Sequence, residues 1–242
     1  MNILLTLAYD GTNYAGWQRQ ENAITIQQRL EEALDSKVTG ASRTDAGVHA
    51  LGQCASFEVS HMPVPLEKLP QVINSRLPSD ISIQSAKIAP DGFNPRFRAK
   101  FKTYRYQIYN GITPNPLLSR YSAFVPNILD TEKMQQAATH FIGPHDFAAF
   151  CASGSAAKTT TRTVFDCKIE RNDGLITMTV TGNAFLYNMV RIMAGTVLYV
   201  GLGKIPPGDI PEIIESKERV RAGKTMPPEG LILVEVVYEE EL

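Results

Sequence analysis

The stretch TVFDCKIERNDGLITMTVTG, residues 163–182, decides how this chain folds. Two runs rich in Val, Ile, Leu and Thr flank Asp173-Gly174, a dipeptide that favours a tight two-residue turn. The pattern predicts a β-hairpin, so its two strands must be antiparallel neighbours. Working outward, an apolar helix follows from Ala184, a shorter one is opened by Asp209 and Glu212, and LILVEVVYE (231–239) reads as a last strand. Upstream, KTYRYQIYN (102–110) reads as a strand and TEKMQQAATHF (131–141) as a helix. The resulting order is β-α-β-β-α-β with one extra helix, which builds an antiparallel sheet with helices on one face and the other face free for a partner or substrate.

The first half follows the same logic. NILLTLAY (2–9) alternates as a strand does, and TIQQRLEEAL (25–34) reads as a helix with Thr25 and Gln28 as a capping box and Ile26, Leu30, Ala33 and Leu34 on one side. QCASFEV (53–59), the imperfect helix PLEKLPQVINSRL (65–77) and the strand ISIQSAKI (81–88) complete it. The expected fold class is α+β: two ferredoxin-like halves, residues 1–100 and 101–242, with antiparallel sheets and an active-site cleft between them. ASGSAAKTTT (152–161) reads as a mobile loop.

Composition narrows the function classes. A chain of 242 residues, 43% hydrophobic and 20% charged, reads as an ordinary soluble globular protein of the cytosol, with an N-terminus too short and too polar for a signal peptide or membrane span. Cys54, Cys151 and Cys167 are far apart and no histidine stands at metal-ligand spacing, so buried or inert thiols are expected rather than a metal site or disulfides. His49, His61, His140 and His145 are equally scattered. A net charge of −1 offers no global attraction to a polyanion, so any such partner must be held by a local patch.

Three stretches carry chemistry. In GASRTDAGVHALGQ (40–53), Arg43 and Asp45 stand among glycines, alanines and a serine, a carboxylate in a clearing of small side chains. The structural reading is a turn cap or an ion pair with Arg43. In FNPRFRAKFKTYRYQIYN (93–110), Arg96, Arg98, Lys100, Lys102 and Arg105 interleave with Phe93, Phe97, Phe101, Tyr104, Tyr106 and Tyr109. If extended, the stretch puts Arg96, Arg98, Lys100 and Lys102 on one face leading into Tyr104 and Tyr106, cations for phosphates followed by rings for unstacked bases. The alternative is a solvated edge strand that uses charge to discourage aggregation. In AFLYNMVRIMAGTVLYVGL (184–202), Arg191 is the one charge in an apolar helix, which calls for an anionic partner or for snorkelling to solvent. Gly195, one turn on, allows another backbone to come close.

SRTDAGVHA (42–50), KTYRYQIYN (102–110) and NAFLYNMVRIMAG (183–195) closely resemble the three signature segments of the tRNA pseudouridine synthase A family. YDGTNYAGWQRQ (9–20) and GLILVEVVY (230–238) extend the resemblance over nearly the whole chain. The resemblance implies an isomerase, an intramolecular transferase that turns uridine into pseudouridine at positions 38, 39 and 40 of the tRNA anticodon stem-loop. It implies no cofactor and no metal, tRNA as partner, and a homodimer. Asp45 then looks like the nucleophile, Tyr104 the ring stacked on the uracil, Arg191 the partner of the aspartate, and Arg43 a residue that helps displace the base. Phe93, Arg96, Phe97, Arg98, Lys158 and Arg162 are further expected RNA contacts.

One feature departs from the family pattern. Between Leu34 and Gly40 only DSKVT (35–39) stands where a loop and a strand are expected, either as a true shortening or because residues of a loop are missing from the sequence, the second being favoured. Two competing classes are a non-catalytic RNA-binding module with ferredoxin-like halves and a cytosolic hydrolase with an aspartate nucleophile. The second of these leaves the basic track unexplained.

Overall fold

The computed structural model describes residues 1–62 and 64–239. Its elements in chain order are β1 (Asn2–Tyr9), α1 (Ile26–Leu34), β2 (Thr39–Gly40), β3 (His49–Glu58), α2 (Leu69–Asn74), β4 (Ile81–Ala89), β5 (Ala99–Tyr109), β6 (Ala123–Phe124), α3 (Thr131–Thr139), β7 (Gly143–Asp146), β8 (Thr161–Asn172), β9 (Leu175–Gly182), α4 (Met189–Gly201), α5 (Ile210–Ser216) and β10 (Leu231–Tyr238). The class is α+β with mostly antiparallel strand pairs. The chain divides into two compact units, 1–102 with 232–242, and 103–231. Relative to the expected division at residue 100, the difference lies in the last strand, which belongs with the first unit.

In the first unit the sheet order is β4-β1-β3, with β2 on the outer edge of β3, the 4-1-3-2 order of a ferredoxin-like plan. β2 is only two residues long and pairs Thr39 with Ser56 and Gly40 with Ala55, which leaves the start of that edge unfilled. β10 takes it in parallel, Ile232 opposite His49 and Leu233 opposite Ala50. Unpaired backbone groups on a buried edge are costly, so a strand from the far end of the sequence completes the ladder.

The short connection 35–39 closes on a buried carboxylate. Asp35 takes the left-handed conformation (φ 51°) that ends α1. Glu31 then accepts from Arg19 at 2.8 Å, from Gln27 Nε2 at 3.0 Å and from the Val38 amide at 3.3 Å, with the Lys37 ammonium 3.4 Å away. The expected capping box is one-sided: Thr25 Oγ1 accepts from the Gln28 amide at 3.3 Å, while the Gln28 side chain donates to Glu32 instead.

The second face of this sheet is covered at one end. Asn2 donates to the Phe93 carbonyl at 2.9 Å, Phe93 packs edge-on to Tyr238 at 5.2 Å, and Tyr238 donates to the Pro95 carbonyl at 3.1 Å. On β1, Ile3, Leu5 and Leu7 are buried on one side and Asn2 and Leu4 on the other, while Thr6 and Ala8 on that second side are half-buried. A bulge in β3 between the pairs Leu7–Gln53 and Tyr9–Ala50 ends the regular ladder just where the clearing begins.

In the second unit the order is β5-β9-β8-β7, with β6 parallel to the end of β5. The hairpin forms as its sequence predicts: Asn172 faces Leu175 across a two-residue turn in which Asp173 is left-handed (φ 50°). Asp130 caps α3 by accepting from the Lys133 amide at 3.1 Å, and α3 packs on β8 and α4. α4 starts at Met189, five residues later than the apolar run suggests. Asn188 is left-handed (φ 59°) there, so residues 183–188 form a loop and not a first helical turn. From Met189 to Gly201 almost every residue is buried, which is why the helix reads as apolar on all sides.

Candidate active site

Asp45 sits on a loop whose backbone is tied down residue by residue. Ala41 donates its amide to the Cys54 carbonyl at 2.8 Å. The buried Gln53 side chain clamps Ser42 from both sides, accepting from its amide at 3.2 Å and donating to its carbonyl at 2.7 Å. Thr44 shares a 2.8 Å hydrogen bond with the Tyr9 hydroxyl, and its carbonyl accepts from the Trp17 amide at 3.0 Å. The Asp45 carbonyl accepts from Val48 at 3.1 Å, closing a turn through Ala46 and Gly47. Asp45 itself is half-buried between the exposed Arg43 and Ala46. Gly16 presses on this loop from outside: at φ +88° it has a conformation that side chains resist, and an added Cβ would lie 2.5 Å from the Thr44 carbonyl oxygen. The small residues of both YDGTNYAGWQRQ and SRTDAGVHA thus let two backbone segments approach each other and hold one carboxylate.

Arg43 extends to the surface, where Nη1 donates to Gln18 at 3.2 Å. It is near Asp45 in sequence and belongs to the same unit.

Tyr104 and Arg191 belong to the second unit. Tyr104 is 8% exposed on β5 and meets Phe185 edge-on at 5.1 Å and 81°. Phe185 lies in the loop 183–188 that postpones α4, so the left-handed Asn188 has a consequence for the ring beside Tyr104. Arg191 occupies the first turn of α4, where Nε donates to the Met226 carbonyl at 2.7 Å and Nη1 to Asn188 Oδ1 at 2.7 Å. The guanidinium is anchored by a backbone strap rather than left to snorkel.

That strap crosses α4 where Gly195 was expected to admit another backbone. A Cβ on Gly195 would overlap the Lys224 carbonyl, and one on Gly223 would overlap the backbone of residues 195–196. The Gly223 amide donates to Thr196 Oγ1 at 2.8 Å, and the Met226 amide donates to the Arg191 carbonyl at 3.2 Å. Gly195→Ala should therefore destabilise the protein by about 1–3 kcal/mol through overpacking. A urea unfolding curve checks this: the midpoint should fall with the slope unchanged, and an unaltered midpoint would contradict the close crossing.

The basic track differs from its sequence reading. β5 starts only at Ala99, and Arg96, Phe97 and Arg98 lie in a turn in which the amides of Phe97 and Arg98 both donate to the Asn94 carbonyl. They therefore do not alternate along the strand with Lys100 and Lys102. Phe97 is 78% exposed, with the Arg96 guanidinium 5.7 Å from its ring centre. Phe93 is 8% exposed and packs edge-on against Tyr238. Tyr106 is likewise a core residue, donating to the Pro227 carbonyl at 2.7 Å. Lys102 is half-buried, its Nζ 2.6 Å from the Ala41 carbonyl. On the loop 152–161, Lys158 is exposed, and beyond it Arg162 Nη1 donates to the carbonyls of Thr159 and Thr161.

Cys54 and Cys167 are buried, and burial pushes the Cys167 thiol up to about 12, in keeping with inert thiols. Among the described residues no group of histidine, cysteine and carboxylate side chains is placed to hold a metal ion, and no helix is long and apolar enough to cross a membrane.

Sequence reasoning did not single out Gln53, Tyr9, Trp17 or Lys102 as holders of the loop. Gln53 left one trace: a polar side chain in a strand position between buried neighbours.

Comparison with known proteins gives a consistent outcome. A family profile described as tRNA pseudouridine synthase matches residues 6–98 and 137–239. The tRNA pseudouridine synthase A of Caldicellulosiruptor bescii is 50% identical over 243 residues, covering 98% of this chain and 99% of that protein. That of Acetivibrio thermocellus is 48% identical over 243 residues, with the same coverage of each. That of Geotalea uraniireducens is 48% identical over 242 residues.

Proposed function

The chain belongs to the tRNA pseudouridine synthase family, a family of isomerases, and from that premise we propose that it converts uridine to pseudouridine at positions 38, 39 and 40 of the anticodon stem-loop, with Asp45 as nucleophile. The observation that carries the proposal is the Asp45 loop, a carboxylate flanked by Ala46 and Gly47 on a backbone held from Ala41 to Val48. A firmly held carboxylate with small, partly exposed neighbours suits a flipped nucleotide that must turn in place.

The reaction breaks the N1–C1′ bond, rotates the uracil and forms a C5–C1′ bond; C5 loses a proton and N1 gains one, so no oxidant or energy source is required. Asp45 contributes its electron pair either to ribose C1′ or to uracil C6, and leaves again when the carbon–carbon bond is made. Tyr104, steadied by Phe185, stacks on the base. Arg191, fixed by Met226 and Asn188, supplies the positive charge that keeps the aspartate ionised. Arg43 helps displace the base, and the exposed cations Arg96, Arg98 and Lys158, with Arg162 and the ring of Phe97, meet the RNA. The enzyme works in the cytoplasm as a homodimer, a reading supported by its resemblance to the family and by the exposed apolar side chains of Ile112, Leu117 and Ile128.

The test is incubation with unmodified tRNA transcripts followed by carbodiimide adduct mapping. Pseudouridine confined to positions 38–40 is the expected result; none from a well-folded preparation would favour the non-catalytic RNA-binding module. Binding has its own test. Replacing Arg96 and Arg98 together by Gln should weaken tRNA affinity and reduce the slope of log K against log salt by about one to two units. Maximal turnover at saturating tRNA should fall less than affinity does. An unchanged slope would turn attention to KERVRAGK (217–224), although Arg219 there already donates to Gly223 and Thr225, and Arg221 lies 3.5 Å from Glu212.

A further inference from the structure

We propose that Lys102 is a positioning residue for the nucleophile loop: its half-buried side chain, whose ammonium is bonded to the Ala41 carbonyl at 2.6 Å, fixes the point from which the chain runs to Asp45. The inference rests on the reading of Asp45 as the nucleophile.

The ties described above come from neutral groups: the Cys54 backbone, the Gln53 amide, the Tyr9 hydroxyl and the Trp17 amide. Lys102 adds a cationic donor, and charge-assisted hydrogen bonds are the shorter and stronger kind. Its acceptor has no exposure to water, since Ala41 is 0% exposed. Without the ammonium, a buried carbonyl would lose this donor, and the loop would shift to find another. Asp45 lies four residues further on, and displacement of a reacting group by about 1 Å costs on the order of 100-fold in rate.

The surroundings distinguish this role from that of a phosphate contact. Burial pushes the Lys102 amine down to about 8, with the Arg96 guanidinium adding to the effect and Cys54 opposing it. Burial raises both the Cys54 thiol and the Tyr238 phenol beside it, so both titrate above Lys102. A lysine meant for phosphates would keep its charge in water, whereas this one has given up much of its hydration for a backbone carbonyl. The amine can still donate once neutral, but the bond is weaker, so the loop should be held best below about pH 8.

Lys102→Met and Lys102→Arg separate the possibilities. Lys102→Met should lower kcat about 10- to 100-fold, leaving KM and the salt dependence of tRNA binding unchanged. Amide hydrogen exchange across residues 42–48 should quicken by roughly tenfold as the loop opens more often. Lys102→Arg, which stays charged, should recover most of kcat and lack the alkaline decline of kcat/KM that wild type should show near pH 8. Exchange reports on the strut even where turnover does not, so failure of this inference and failure of the reading of Asp45 can be told apart. Unchanged loop exchange in Lys102→Met with kcat within twofold of wild type would overturn the proposal. So would a salt slope reduced by about one unit, which would make Lys102 a phosphate contact.

Discussion

Asp45→Asn is expected to abolish turnover, by about four orders of magnitude or more, while leaving tRNA affinity within a few-fold. The exchange keeps the size of the side chain and its ability to accept a hydrogen bond, and removes the charge and the nucleophilic electron pair. Removing the nucleophile of an enzyme that works by covalent catalysis typically costs about 10⁴- to 10⁶-fold. The loop should keep its place, because the ties through Gln53, Tyr9, Trp17, Cys54 and Lys102 do not involve the carboxylate. Affinity should persist because phosphate contacts dominate RNA binding. Single-turnover release of tritium from 5-³H-uridine tRNA measures the chemistry directly, and filter binding measures the affinity. Turnover within tenfold of wild type would remove Asp45 from the role.

Arg191→Lys should be nearly as damaging as Arg191→Met, with kcat down about 100- to 1,000-fold in each case, on the scale for loss of one preorganised charged group in a site. The reason lies in the geometry around α4. The guanidinium uses Nε for the Met226 carbonyl and Nη1 for Asn188, two acceptors that a planar fork meets at once. A lysine ammonium keeps the charge but cannot reproduce both bonds, so it would not be aimed as the guanidinium is. Steady-state kinetics with circular dichroism as a check on folding would decide the matter. Full activity in Arg191→Lys would show that charge alone matters, and full activity in Arg191→Met would return the residue to a structural role.

Much of this was legible in the sequence. The hairpin at Asp173-Gly174, the Thr25 and Asp130 caps and most strands depend on neighbours a few residues apart, and local physics settles them. The clearing around Asp45 was legible for the same reason: small residues flanking one acid mark a place where something must approach closely. Gly195 could be read as a close crossing, although not that the carbonyl of Lys224 would occupy it.

What sequence could not supply are the contacts between distant segments. Alternation predicted that Arg96 and Arg98 would line up with Lys100 and Lys102, but the Asn94 turn ends the alternation before the strand starts. Phe93 and Tyr106 look like exposed rings in a basic stretch, yet one is covered by Tyr238 and the other donates to Pro227. Their burial is decided by residues more than a hundred positions away. The last strand reads as the end of the second half, but the edge of β3 left open by a two-residue β2 draws it into the first unit. Lys102 shows the same limit most plainly: from the sequence it is one cation among several, and it is drawn out of water only because the fold brings Ala41 and Cys54 to it. The sequence alone determined the family and how most short segments are built. The tertiary structure decided which charges remain in water and which are buried, because desolvation is a property of the assembled neighbours rather than of the residue itself.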